Sequence, residues 1–150
     1  MKVCIACSPG GHFAESLQVL PIVKKHEVFY YTIDVPYIRQ TLAKSKNYLV
    51  SNPTRNPLKY FFIILSSLFV LLKEKPDVII TFGAGVTVPI ALLGKLLFGS
   101  KLIYVECSAQ VYKPAMSGKL IYPFADLFFV QWKYLKDQYG KKAIYGGLLI

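Results

Sequence analysis

Short, continuously apolar runs alternate with helical stretches from one end of this chain to the other, and no other feature constrains its fold as tightly. A strand without apolar/polar alternation has no face for water, so runs of this kind belong to a parallel sheet with helices on both faces. The pattern predicts strands at 3–7, 28–33, 48–50, 78–81, 102–105, 127–130 and 143–145. Helices are expected at 13–24, 36–44, 58–73, 88–98 and 118–122. With 150 residues the chain can build one core and is too short for two ordinary domains. The expectation is one Rossmann-like, doubly wound, mostly parallel α/β domain over 1–150.

Composition narrows what such a domain touches. The chain is 54% hydrophobic and carries a formal charge of +10. A basic surface on so apolar a protein suits an anionic membrane surface or a phosphorylated substrate. Nucleic acid is not expected as a partner, because the lysines lie in scattered pairs such as Lys24-Lys25 and Lys141-Lys142, without forming a block. Cys4-x-x-Cys7 lies inside a strand, where residues three apart face opposite ways, so these are small buried hydrophobes and no redox pair. Met1-Lys2 leads straight into the first strand with no signal peptide, which points to a cytoplasmic location.

The stretch 60–72 holds no charge and is bracketed by Lys59 and Lys73. As a helix it spans roughly 20 Å, short of the roughly 30 Å hydrocarbon core of a bilayer. It is not expected to cross. Yet its apolar side chains occupy every side of the cylinder, and a sheet covers only one. Tyr60, Phe61, Phe62, Ile64 and Leu65 are therefore expected to meet a membrane surface, with the lysines at the headgroups.

Ligands in open α/β sheets bind outside the carboxyl ends of the strands. The first such loop is Ser8-Pro9-Gly10-Gly11-His12, and the second is Gly83-Ala84-Gly85. Glycines let backbone N–H groups approach a phosphate, and the helix that follows points its free N–H groups the same way. The first loop lacks both the G-x-G-x-x-G spacing of dinucleotide sites and the G-K-[ST] of a P-loop. Asp34 stands where a ribose-binding acid would, but is expected to cap the next helix. His12 could take a proton from a sugar hydroxyl or donate a hydrogen bond to a phosphate. Glu106 sits where the strand 102–105 runs out, facing the cleft, with Gln131-Trp132 after a later strand. Glu15, in the first turn of a helix, reads as a dipole partner and no more. Neither a metal nor a cofactor is called for.

Taken in order, Ser8-Pro9-Gly10-Gly11-His12 with Ala14-Glu15, Thr81-Phe82-Gly83-Ala84-Gly85 with Pro89, Tyr104-Val105-Glu106, Ser117-Gly118-Lys119-Leu120, Pro123-Phe124-Ala125-Asp126, Val130-Gln131-Trp132 and Tyr145-Gly146-Gly147 span the chain. This series resembles the asparagine-linked-glycosylation protein 14 family, one half of a GT-B glycosyltransferase. It is also similar to the acceptor half of the lipid-II-forming N-acetylglucosaminyltransferase. Bacterial members of the family act in capsular and exopolysaccharide synthesis.

The resemblance implies a membrane-associated subunit at the cytoplasmic face that binds a polyprenyl-diphosphate-linked sugar. A separate small donor-binding glycosyltransferase subunit would bring the UDP-sugar, and the tail 146–150 would face it. Ser8, Gly10, Gly11, Gly83, Ala84 and Gly85 would surround the acceptor diphosphate. His12 would serve as general base, with Glu106 as the alternative base or as an orienter of the acceptor hydroxyl. The rival expectation is a non-catalytic scaffold that recruits and stabilises the partner enzyme at the membrane.

Overall fold

The computed structural model describes residues 1–54 and 56–149; Ile150, the last residue of the expected partner-facing tail, lies outside the described residues. The strands are β1 (Lys2–Ala6), β2 (Glu27–Ile33), β3 (Lys46–Val50), β4 (Val78–Thr81), β5 (Lys101–Val105), β6 (Leu127–Val130) and β7 (Ala143–Tyr145). All pair in parallel, in the order β3-β2-β1-β4-β5-β6-β7. Every expected strand forms within two residues of its predicted ends. The sheet is the expected α/β parallel one.

Among the described residues seven α-helices connect the strands: α1 (Gly11–Gln18), α2 (Leu20–Val23), α3 (Pro36–Thr41), α4 (Pro57–Glu74), α5 (Val88–Leu97), α6 (Met116–Ile121) and α7 (Lys133–Tyr139). A single helix over 13–24 is not what forms. Pro21 has no N–H to continue the ladder, so α1 stops at Gln18 and a new turn starts with the proline in its first positions. Helix α7 was not expected, because Leu135 is its only fully buried residue and leaves no apolar stripe to read. Asp34 does not cap α3. It forms a two-point ion pair with Arg39 instead, and Val35 takes the cap position without a side-chain bond.

The core has two parts, one on each face. Helices α4 to α7 lie over Cys4, Phe29, Ile79, Tyr104 and Phe128, while α1 to α3 lie over Val3, Ile5, Tyr30 and Ile80. Cys4 and Cys7 fall in different clusters, as expected, and burial pushes the Cys7 thiol up to about 11. From β4 onward the strands advance in one direction, so their right-handed crossovers put every connecting helix on one side. Beyond β4 the opposite face receives no helix of its own and is covered only in part. Register aligns Ile80 with Ile103 and Leu127, and Val105 with Phe129 and Ile144. Leu127 and Ile144 are about 40% exposed there (41% and 40%), so the expected cover on both faces is incomplete.

At the opposite, amino-terminal edge of the sheet, Glu74 is 3% exposed and accepts hydrogen bonds from Lys2 (3.0 Å), Lys46 (2.8 Å) and the Tyr48 hydroxyl. Burial alone would raise its pKa, but these three donors win and hold the carboxyl down at about 2. A depressed folded-state pKa gives stability that is present above the unfolded value and lost as pH falls toward 2. Glu74→Gln should therefore cost about 2 kcal/mol at pH 7. In urea titrations its deficit should vanish as the pH is lowered from about 4.5 to about 2, where the parent has lost the same contribution.

Candidate functional site

The order of the sheet decides where a ligand can sit. β1 feeds helices on one face and β4 feeds helices on the other, yet the two strands are neighbours. Their outgoing loops part at the carboxyl edge and leave a crevice between them, the switch point of an open α/β sheet. Gly10 turns the first loop with φ +88°, a conformation open to glycine, and its carbonyl starts α1 by accepting from Ala14 N–H at 3.1 Å. No side chain caps α1, and the N–H groups of Gly11 and His12, at the helix start beside the crevice, have no partner among the described residues. Ser8 lies half-buried beside them.

His12 joins the two loops. Its Nδ1 donates to the Phe82 carbonyl at 2.5 Å, which leaves Nε2 without a hydrogen-bond partner among the described residues. The second loop is held more tightly than its glycines suggest. Gly83 N–H donates to Thr81 Oγ1 (3.3 Å) and Ala84 N–H to Ser117 Oγ (3.2 Å), so both are already used internally. Ala84 adopts φ 78°, ψ 146°, a region where a side chain costs of order 1–3 kcal/mol. Thr87 Oγ1 donates to the Ala84 carbonyl at 3.0 Å and helps to keep it there. Gly85 remains exposed at the mouth. The Tyr60 hydroxyl rests against Gly85, where any Cβ would collide with it.

Tyr60 thereby parts company with its neighbours in α4. It lines a groove of 480 Å³ with Val88, Pro89, Met116 and Leu120, running up to Gly85. Phe61, Phe62, Ile64 and Leu65 are 43–58% exposed on the outer side of the helix. No helix among the described residues is long and apolar enough to cross a membrane.

The two acids of the site are both buried, and neither opens on the crevice as a free carboxylate. Glu106, expected at the cleft, is fully buried and accepts from Tyr104 Oη (3.1 Å), Cys107 N–H (3.2 Å), Ala115 N–H (3.2 Å) and Tyr139 Oη. Burial first, and then the adjacent carboxylate, push the Tyr104 and Tyr139 phenols far up, so both stay donors. The acid organises the loop after β5 from beneath. Gln131 continues this network by donating to the Glu106 carbonyl (3.0 Å) and accepting from Leu149 N–H (2.8 Å), while Trp132 Nε1 donates to the Ser108 carbonyl at 2.6 Å.

Glu15 is more than a dipole partner. It is 1% exposed, and Oε1 accepts from Ser108 N–H of the loop after β5 at 2.8 Å. A ring nitrogen of His12, a carboxylate oxygen of Glu15 and Cys107 Sγ lie within 4.8 Å of one another. A metal would need the thiolate, and burial pushes the Cys107 thiol up, against that form. The i, i+3 spacing of His12 and Glu15 was the available signal, since it places both on one helix face. Their convergence with Cys107 depends on the fold. Removing one donor from buried Glu106 tests the network: Tyr139→Phe should lower stability by about 1–3 kcal/mol in denaturant unfolding.

A family described as "Oligosaccharide biosynthesis protein Alg14 like" matches residues 37–149. UDP-N-acetylglucosamine transferase subunit ALG14 of Candida albicans is 38% identical over 99% of this chain and 78% of its own length. Among solved structures, MurG of Acinetobacter baumannii superposes with a TM-score of 0.70 at 18% identity, covering 86% of this chain and 40% of MurG. UDP-N-acetylglucosamine 2-epimerase of Rickettsia bellii gives 0.75 at 14% identity, covering 99% of this chain and 45% of the epimerase. The chain thus spans less than half of either structure, and these two likenesses speak for the fold. The sequence match does more, and on it the chain belongs to the Alg14-like family of oligosaccharide biosynthesis proteins.

Proposed function

We propose that this chain is the acceptor-side subunit of a two-chain UDP-N-acetylglucosamine transferase, working at the cytoplasmic face of a membrane on a polyprenyl-diphosphate-linked sugar. The observation that carries this reading is the meeting of two glycine loops at His12, at the switch point of the sheet. The open N–H groups of Gly11 and His12, with Ser8 and Gly85 around them, suit a diphosphate. Gly10, Gly83 and Ala84 shape the two loops, their N–H groups being engaged within the protein.

In the transfer step the acceptor hydroxyl oxygen attacks the anomeric carbon of the donor. The bond from that carbon to the UDP oxygen breaks, UDP leaves with the electron pair, and His12 Nε2 takes the hydroxyl proton. Glu106 is committed to the network beneath the loop, which favours a supporting role for it and leaves His12 as the base. The donor-binding subunit supplies the UDP-sugar. The strip along Ile80, Ile103, Val105 and Phe129, which no helix of this chain covers fully and which Leu149 edges, forms an apolar groove of 260 Å³ for that subunit to cover.

Phe61, Phe62, Ile64 and Leu65 rest on the leaflet, with Lys59 and Lys73 at either end of the apolar stretch and a chain charge of +10 favouring anionic lipid. Tyr60 belongs to the acceptor groove, away from that face.

Co-expressed with its partner, the His12→Ala chain should still co-purify and bind membranes while transfer falls at least about 100-fold. Transfer at the parent rate by both His12→Ala and a folded Glu106→Gln would instead favour the scaffold reading. Replacing Phe61, Phe62 and Ile64 together by Ser should release the folded chain from anionic liposomes in a flotation assay. Retained binding would turn the membrane contact to another surface.

A further inference from the structure

The chemistry proposed above leaves Glu15 without a task, although the fold goes to some length to bury it. Its Oε1 is clamped by Ser108 N–H at 2.8 Å and faces Cys107 Sγ at 3.6 Å. Its Oε2 is buried with no hydrogen-bond partner among the described residues. Such an oxygen is costly, and an acid is not needed to hold the loop, because a glutamine carbonyl would accept from Ser108 equally well. The clamp therefore explains one oxygen and leaves the charge unexplained. What lies beside that charge is His12, one turn back on the same face of α1 and within 4.8 Å.

We infer that Glu15 is a positioning residue for sugar transfer: its buried carboxylate faces the imidazole of His12 and stabilises the imidazolium formed when His12 takes the acceptor proton. This rests on the reading of His12 as the base. The Phe82 carbonyl holds the ring from Nδ1, and the carboxylate alongside it opposes the charge that develops on the ring. Cys107, the third member of the cluster, is a buried neutral thiol and does not cancel that effect. Away from water the attraction is little screened, so a separation without a hydrogen bond still matters.

Steady-state kinetics of the two-chain complex decide the matter, with parent, Glu15→Gln, Glu15→Asp, His12→Ala and His12→Ala/Glu15→Gln compared side by side. Glu15→Gln keeps the acceptor for Ser108 and removes the charge. It should unfold at the parent temperature, lose about 10–100-fold in kcat, and leave acceptor KM within about twofold. Glu15→Asp, which keeps the charge, should recover part of that loss. The double variant should be no slower than His12→Ala, because Glu15 acts through the ring.

A Glu15→Gln complex with parental kcat, one that melts below the assay temperature, or a loss that adds to that of His12→Ala would each overturn the inference. Transfer at the parent rate by His12→Ala would remove the base reading and this inference together. A slow His12→Ala beside a parental Glu15→Gln removes this inference alone.

Discussion

A parallel sheet has to be shielded from water on both faces, and this chain shields one of them more completely than the other. Helices α4 to α7 cover one side as far as the edge strand β7, where Tyr145 stays half exposed. On the other side α1 to α3 reach the half built on β1 to β3 and Ile80 of β4, because every later crossover must turn the same way. Much else in the molecule follows from that asymmetry. The chain end lies along the less covered half, tied by the bond from Leu149 N–H to Gln131. The same handedness splits the loops after β1 and β4 and so creates the crevice. One topological constraint thus produces both an incomplete surface and a site.

At that crevice, rigidity comes from groups that never face it. Glu106 gathers four donors from three segments, and Ser117 bonds Ala84 N–H to keep a strained loop in place. Buried polar networks of this kind are costly when partly satisfied and stiff when complete. The second loop is thereby fixed beside the first, whose N–H groups at Gly11 and His12 stay open. The same economy appears at the other edge of the sheet, where Glu74 gathers Lys2, Lys46 and Tyr48.

Much of this was legible in the residue order. Uninterrupted apolar runs located all seven strands, because a strand buried on both faces leaves a signature that is local and strong. The two glycine loops were readable for the same reason, since their chemistry lies in consecutive residues. Errors arose where the deciding partner was distant or the signal thin. Asp34 looked like a cap, but Arg39 one turn on competes for its carboxylate. Glu106 looked like a cleft acid, and only the approach of Tyr139 and Ala115 shows that it is enclosed. Glu15 looked like a dipole partner and no more, and the loop after β5 covers it. The apolar stretch in α4 announced an exposed face of Tyr60, Phe61, Phe62, Ile64 and Leu65; Tyr60 turned into the groove while the other four stayed out.

By itself, the sequence determined the parallel α/β class, the strand positions and the two glycine loops, since each rests on the period and identity of neighbouring residues. The tertiary structure alone decided which face stays less covered, which N–H groups remain open, and that His12, Glu15 and Cys107 meet. Those outcomes depend on strand order and crossover handedness, which bring residues 92 positions apart, such as Glu15 and Cys107, into contact. No local pattern encodes a contact of that range, because its energy exists only once the sheet has closed the distance.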